Sequence, residues 1–490
     1  MDEMNHNKLW AEFYNNAKPI YRQFYQAHQN PGEHQQKLLA DLLKRNANTA
    51  FGQHHDFATI KSVKDFQSRV PTTKQIELLN WTSQIEAGGE KILTEEPPLF
   101  FEPTSGSSAR QKLIPYTRSY WAMSPSPTSS QTTESGLPIG GYGDAVYLQN
   151  SIALPLLQSV VNPPHLDTAP EQWKLNSLIA LIDAADLSMI SVWSPTFLIA
   201  LLKPLIENDN PESQHTLDLL FKGLPTKRRD ATVAAIAAKN LNILWPNLVL
   251  ISCWMDGPSK QFAQTLVPYF PDARFSPKGL LATEGVVSIS WATEDRCPLA
   301  LDSHFLEFVA DDGSIVLADN LQVGECYRPL LTTSGGLYRY SLNDVIQIAD
   351  PVDGLISARF LGRTESTSDL VGEKLDENLS QMACEYAQSQ GFNAVLVPNA
   401  SATIPHYVLL SDCRQTEPHH YKYARDVNQL GPLTSLSVPD LASVLQRAWE
   451  TSGLRAGDYK PSYLIHSLQL AAAVFNEASL VKENSNVCST

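Results

Sequence analysis

Four hydroxyls crowd one glycine in Thr104-Ser105-Gly106-Ser107-Ser108, and a cation, Lys112, follows four residues later. A loop of small residues brings backbone N–H groups and hydroxyls onto phosphate oxygens, and a lysine adds mobile positive charge. The stretch Thr104–Pro115 therefore suits a nucleoside triphosphate, although an ordinary surface turn has the same composition. Downstream, Leu281-Ala-Thr283-Glu284-Gly285 sets a hydroxyl and a carboxylate beside a glycine. A single glutamate suits magnesium, which takes few protein carboxylates and shares the phosphate oxygens of its nucleotide. Tyr338-Arg-Tyr-Ser-Leu-Asn-Asp344 ends on an acid that could accept both hydroxyls of a ribose, or cap a turn. Phe360-Leu-Gly-Arg363 carries a lone arginine, whose ordinary role is a surface ion pair worth ~0–1 kcal/mol. Gly457-Asp-Tyr-Lys460-Pro461 presents a lysine in a tight segment. Each element is bland singly; their order is not.

The elements that must position these residues can be read from hydrophobic periodicity. Residues 8–46 have a helical pattern through Leu9, Trp10, Phe13 and Tyr14, then Leu38, Leu39, Leu42 and Leu43. Helices are predicted near 176–187 and over 195–207, the second with Ser194 as N-cap and Pro195 at its first position. Short apolar runs at Asn247–Cys253, Phe305–Val309, Ile315–Ala318 and Val345–Ile348 predict strands. Alternating helices and strands indicate an α/β body. The last 125 or so residues differ. A helix is predicted at 376–389, strands at Ala394–Pro398 and Tyr407–Leu410, and a helix at 438–452 opened by a capping-box-like Ser437-Val-Pro-Asp440. That helix gathers Leu441, Val444, Leu445, Ala448 and Trp449 on one face, and a strand at Tyr463–His466 follows. This order suits a smaller α+β lid, so domains are expected at 1–363 and 364–490. No internal repeat is apparent.

With 490 residues, 43% hydrophobic and 18% charged, the chain is globular and too long for one ordinary core. Its 37 basic against 52 acidic residues give a net charge of −15, which repels polyanions and argues against a general nucleic-acid binder. Six cysteines show neither C-x-x-C pairs nor zinc spacing, as expected of free thiols in a reducing compartment. The first ten residues lack the apolar run of a signal peptide, and no stretch has eighteen uninterrupted apolar residues. A soluble, cytoplasmic protein without a membrane span is expected.

Taken in order, the small-residue loop, Thr-Glu, aromatic-Arg…Asp, Gly-Arg and late lysine resemble the adenylate-forming enzymes. More closely, the chain resembles the Gretchen Hagen acyl-acid amido synthetases, the auxin-responsive family, and looks like a bacterial-type member. Asn46-Ala-Asn-Thr-Ala-Phe-Gly52, Phe66-Gln-Ser-Arg-Val-Pro71, Leu244-Trp-Pro-Asn247, Gly336-Leu-Tyr-Arg-Tyr340 and Val371-Gly-Glu-Lys-Leu-Asp-Glu377 add to the likeness, which runs from about residue 35 to 465. The resemblance implies a large N-terminal α/β adenylation domain, a smaller mobile C-terminal lid, and two half-reactions. ATP, with Mg2+, activates a small-molecule carboxylic acid as its acyl-adenylate, and an amine, commonly an amino acid, then takes the acyl group.

Carried over by position, Thr104, Ser105, Gly106, Ser107 and Ser108 with Lys112 match the phosphate loop. Thr283 and Glu284 match the pair that meets the α-phosphate and magnesium, Asp344 the ribose-binding acid, and Arg363 the arginine near ribose and hinge. Lys374 follows that hinge. Lys460 matches the lysine that swings in to stabilise charge on the reacting carboxylate and α-phosphate. The pattern is departed from in the loop, where Ala109 replaces a glycine and Gln111 the proline often found before the lysine, and at Asn343, which replaces the glycine before the acid. A left-handed backbone strains alanine by ~1–2 kcal/mol, whereas asparagine tolerates it better than most residues. The acid needs a wall, for which Tyr120, Trp121, Trp193, Trp254, His304 and Phe305 are candidates; ordinary core packing would use the same side chains. A coenzyme A, carrier-thiol or hydroxyl acceptor, and a non-catalytic binder on the same fold, are the competing readings.

Overall fold

The computed structural model describes residues 3–73, 75–103, 113–118, 132–139, 161, 170–257, 259–291, 295–363, 367–368, 375–376, 384, 392–399, 406–411, 434–438, 440–452, 461–462, 464–465 and 467–487. They form an α/β fold in two compact units. The first gathers Met1–Val160, Gly279–Ser290 and Arg296–Phe360, and the second Val161–Lys278, Trp291–Asp295 and Leu361–Thr490.

In the first unit, the periodic pattern near the N-terminus becomes helices Glu3–Gln29 and Pro31–Arg45, the second opened by Pro31 at its first position. Leu39, Leu42 and Leu43 are buried on its inner face. Buried Gln35 fixes this helix to the sheet: its amide donates to the carbonyls of Leu301 and His304 at 2.6 and 2.7 Å and accepts from Leu306 N at 2.7 Å. The sheet is antiparallel wherever its register is fixed, with Phe308 opposite Pro329, Cys326 opposite Gln347 and Ser357 opposite Pro298. Phe305–Val309 matches its predicted strand. The expected Val345–Ile348 strand runs longer, Asp344–Val352, and Ile315–Val316 runs shorter, because Ala318 starts a 3-10 turn. Asp353 and Gly354, both at positive φ, turn the chain into strand Leu355–Arg363 as a two-residue hairpin of the Asp-Gly kind requires.

One buried ion pair organises this unit. Arg339, 3% exposed, forks Glu307 with Nε–Oε2 at 2.8 Å and Nη2–Oε1 at 3.0 Å. Its Nη1 donates to the carbonyls of Gln67 and Val70, at the end of helix Val63–Arg69, and Gln67 donates to Glu307 at 2.9 Å. Among the stretches that carried the family resemblance, Phe66–Pro71 and Gly336–Tyr340 thus meet around one guanidinium. Asn46–Gly52 is structural as well. A Cβ on Gly52 would lie 2.0 Å from the Asn46 carbonyl oxygen, so only glycine fits that helix start.

In the second unit, Met189–Ser191, Leu250–Cys253 and Arg274–Pro277 form a parallel sheet with helices between the strands. The helix predicted near 176–187 lies earlier, at Pro170–Asp183, and that over 195–207 spans Pro195–Ile206. Ser194 is its N-cap by backbone, but its hydroxyl pairs with Thr196 at 2.6 Å instead of capping. The C-terminal segment adds strands Ala394–Asn399, His406–Ser411 and Thr434–Ser437 and helices Leu441–Thr451 and Leu468–Val487. The cap of Leu441–Thr451 is Asp440, accepting from Ser443 N at 3.3 Å, rather than Ser437, which ends a strand. All five residues predicted for its inner face are buried. Leu375–Asp376 is a short strand, and the remainder of the predicted helix 376–389, Cys384 apart, lies outside the described residues. Only a single bridge, Leu464 to Leu396, is described where a strand was predicted at Tyr463–His466.

Two predictions concern the first unit. Arg339→Met should destabilise the protein by about 3–5 kcal/mol in urea unfolding, because it strands a buried carboxylate. The double replacement with Glu307→Leu should cost less than the single one, the mark of a coupled pair. His28 gives the second. Its Nε2 donates to Leu299 O and its Nδ1 accepts from Ile356 N, both at 3.0 Å, and burial lowers its pKa to about 4. The neutral ring is the folded form, so its contribution is intact above the ordinary value near 6.5 and is lost as pH falls toward 4. About 1.4 kcal/mol per pH unit is at stake across that window, and His28→Gln should flatten the corresponding fall in urea midpoint.

Candidate functional site

The phosphate-loop candidates Thr104, Ser105, Gly106, Ser107, Ser108 and Lys112, with Ala109, lie outside the described residues, as do Tyr120, Trp121, Lys374 and Lys460. The strands that flank the loop are described. Pro98–Pro103 and Leu113–Thr117 pair antiparallel with Pro103 opposite Leu113, so residues 104–112 connect two adjacent strand ends. Antiparallel neighbours accept so short a connection, as parallel ones cannot.

Thr283 and Glu284 form the turn of a small hairpin, with Leu281 opposite Val286 and Ala282 opposite Gly285. Two phenols tether this turn. Tyr116, on the strand that leaves the loop, donates to Thr283 O at 2.6 Å and is stacked on Phe100 with ring centroids 4.9 Å apart. Tyr340, one residue beyond Arg339, reaches Glu284 Oε1 at 3.4 Å. Three motifs far apart in sequence are therefore joined through side chains of the first unit. Glu284 remains half-buried, accessible to a ligand.

Gly285 completes the turn by its lack of a side chain. A Cβ there would fall 2.4 Å from Leu331 Cδ2 and 3.1 Å from His304 Nε2. His304 itself is enclosed beneath the hairpin, with Ser303 Oγ 3.3 Å from Nε2, and burial pushes its pKa down to about 4. A ring held neutral at that level is a weak proton acceptor at neutral pH. Phe305 is fully buried, edge-on to Phe66 at 6.0 Å. Both residues, candidates for an acid-binding wall, are packed in the core because Phe305–Val309 is an interior strand with neighbours on each side.

Asp344 begins its strand and is 1% exposed. Asn343 precedes it at φ +62°, the left-handed geometry for which glycine would otherwise be used. Arg363 ends strand Leu355–Arg363. Glu284 and Tyr340 are thus brought together, while Asp344 lies three residues beyond Ser341 on the following strand. Among the described residues, no group of three His, Cys, Asp or Glu could hold a metal by itself. Glu284 still fits magnesium, which completes its shell with phosphate oxygens and water.

In the second unit, Trp193 and Trp254 stand together, ring centroids 5.9 Å apart, and Trp254 N donates to Trp193 O at 2.9 Å. Lys278 joins them, its ammonium 4.9 Å from the Trp193 ring centroid and 2.7 Å from Ser191 Oγ. Lys278 is 9% exposed. Burial raises the neighbouring Cys253 thiol to about 12 while the Lys278 charge opposes the shift. Sequence reading missed Tyr116 and Lys278. Tyr116 sits in an unremarkable apolar run, and Lys278 follows strand Arg274–Pro277 directly, with only the next residue, Gly279, to mark a strand end.

Among the described residues no helix is long and apolar enough to cross a membrane, and Cys253 and Cys326 are free thiols. Residues 20–126 match the GH3 family N-terminal domain and residues 297–363 the GH3 family central domain. The indole-3-acetic acid-amido synthetase GH3.2 of Arabidopsis thaliana is 21% identical over 464 residues, covering 78% of this chain and 84% of that protein. GH3.4 of the same plant, also an indole-3-acetic acid-amido synthetase, is 21% identical over 462 residues, covering 80% and 76%. The solved structure of the AtGH3.15 acyl acid amido synthetase in complex with 2,4-DB superposes with a TM-score of 0.72 at 16% identity, over 91% of this chain and 94% of that one. That likeness shows the fold, and the two family matches show similarity to the GH3 family over residues 20–126 and 297–363.

Proposed function

We propose that this protein is an AMP-forming ligase that activates a carboxylic acid with ATP and transfers the acyl group to an amine, in the first instance an amino acid. The observation that carries this reading is the tethering of the Thr283–Glu284 turn by Tyr116 and Tyr340. It joins the strand leaving the phosphate-loop candidate to the segment that leads to Asp344. The naming of the two plant relatives as amido synthetases supports the amine acceptor.

The chemistry divides into two substitutions. A carboxylate oxygen attacks the α-phosphorus, the bond to the bridging oxygen breaks, and pyrophosphate leaves. The amine then attacks the acyl carbon, loses a proton, and expels AMP with the former carboxylate oxygen. The protein has little covalent work to do; it must align the groups and balance phosphate charge. Thr104, Ser105, Gly106, Ser107, Ser108 and Lys112 hold the β- and γ-phosphates in this reading, Thr283 the α-phosphate, and Asp344 the ribose hydroxyls with Arg363 beside them. Glu284 would hold Mg2+, which neutralises triphosphate charge. Lys460, from the 364–490 lid, supplies a cation to the reacting carboxylate, and Lys374 contributes to closure. The chain, whose six cysteines show no disulfide or zinc spacing, is assigned to the reducing cytoplasm.

Acid-dependent exchange of labelled pyrophosphate into ATP tests the first step across a panel of carboxylic acids. Glu284→Ala should lower exchange on the order of 100-fold with an unchanged melting temperature. Asp344→Ala should suppress exchange as well, and Lys460→Ala should impair adenylation more than ATP binding. Folded protein that stays silent with every acid would defeat the proposal. Product mass with mixed amino acids and coenzyme A decides the acceptor, and a thioester as sole product would overturn the amide assignment.

A further inference from the structure

The second unit holds a charged cluster that the adenylation chemistry does not use. Helix Leu441–Thr451 packs on helix Pro195–Ile206 through an apolar centre, where Val444, Leu445 and Ala448 are buried and Ile199 lies against the same cluster. Beside it Thr196 donates to Gln446 Oε1 at 3.3 Å, both residues buried. An ion pair stands at each end of helix Leu441–Thr451. Lys174 meets Glu450 at 3.1 Å, and Lys203 meets Asp440 at 2.5 Å. Asp440 has a second duty as the N-cap of the helix, its Oδ1 accepting from Ser443 N. Drawing Lys203 away from Asp440 therefore loosens the contact between the helices and disturbs the first turn of one of them.

Glu207 is placed to compete for that lysine. It is the C-cap of helix Pro195–Ile206, one turn beyond Lys203, so a single ammonium serves two carboxylates. Its site disfavours negative charge on several counts. Glu207 is half-buried, it sits among the partly negative carbonyls of a helix C-terminus, and Asp440 faces it from the C-terminal segment. Asp209 and Glu212 add like charge from the following loop and helix, and Tyr269 approaches from the 3-10 turn Val267–Tyr269. Lys203 opposes them, but Asp440 engages it. Burial first and Asp440 second raise the Glu207 carboxyl to about 7. We infer that one proton on Glu207 gates the docking of helix Leu441–Thr451 on helix Pro195–Ile206. While Glu207 is neutral, Lys203 belongs to Asp440 and the cap is held. Once Glu207 ionises, it repels Asp440 and draws on Lys203. Undocking exposes Glu207 and returns it toward its ordinary 4.5. The docked form thus holds the proton more tightly. Docking is strongest below 4.5, weakens as pH rises toward 7 by up to ~10-fold per unit, and levels off above that. The gate rests on contacts within the second unit and is independent of the adenylation reading.

Hydrogen–deuterium exchange of the amides of helix Leu441–Thr451 in the full chain tests this, after correction for the pH dependence of intrinsic exchange. Protection in the parent should fall at least ~10-fold between about pH 5.5 and 7.5. Glu207→Gln, which mimics the protonated acid, should keep the low-pH protection at both values. Asp440→Asn retains a capping side chain but removes one carboxylate and releases Lys203 to Glu207. Its protection should be lower than the parent's at pH 5.5, and its fall with pH smaller. A merely structural ion pair would lower protection in Asp440→Asn without changing that slope. Equal protection at the two pH values in the parent would overturn the inference. So would a Glu207→Gln protein, folded by its melting curve, that keeps the parent's fall. Should Glu207→Gln prove unfolded, the parent profile and Asp440→Asn still decide, because an undiminished fall in Asp440→Asn also overturns the gate.

Discussion

The fork between Arg339 and Glu307 is the contact on which the first unit depends. A guanidinium inside protein is tolerated only when nearly all of its donors are used and its charge is matched. Here one carboxylate takes two donors and two carbonyls at the end of helix Val63–Arg69 take a third nitrogen. A helix C-terminus carries partial negative charge, so these carbonyls assist the carboxylate. The backbone at Arg339 is correspondingly constrained, at φ +50°. Its neighbours on either side are aimed by that constraint. Tyr338 goes into an aromatic cluster, stacked on Phe51 at 4.6 Å and edge-on to Phe57 at 5.1 Å. Tyr340 goes to Glu284.

This clarifies what the Tyr338–Asp344 motif does. Sequence reasoning singled out its final acid as the chemical residue and passed over the arginine. The arginine is an interior strut, its charge consumed within the fold, and the tyrosine beyond it is what reaches the Thr283–Glu284 turn. The distinction could not have been drawn from spacing, because the partner that decides it, Glu307, lies in the centre of an apolar strand 32 positions earlier. A charged residue within Phe305–Val309 looks like a solvent-facing alternation. Instead it is fully enclosed.

Local signals were legible where local physics dominates. The inner face of helix Leu441–Thr451, the strand Phe305–Val309 and the helix opened by Pro195 follow from periodicity and from proline at a helix start. Helix starts were less legible where two polar residues compete. Ser437 and Asp440 both have capping side chains, and the chain ends a strand on the first before using the second. The fork of three tyrosine and glycine contacts around Glu284 was hidden for a different reason. Tyr116, Tyr340 and Gly285 look unremarkable in their own segments, and their roles exist only through contacts with residues distant in sequence.

His304 shows how the same packing decides chemistry as well as position. A solvent-exposed histidine would titrate near neutrality and compete for the role of base. The hairpin above it leaves no such room: Gly285 lacks a Cβ because His304 and Leu331 occupy that space. Enclosure removes the water that would stabilise an imidazolium, so the neutral ring persists well below its ordinary range. Glu284, one residue before that glycine, stays half-buried. A single close backbone approach therefore separates a silent histidine from an available carboxylate. The proposed chemistry is thereby directed toward charge balance on phosphate, which a carboxylate and a metal ion can supply, and away from proton transfer by a buried ring.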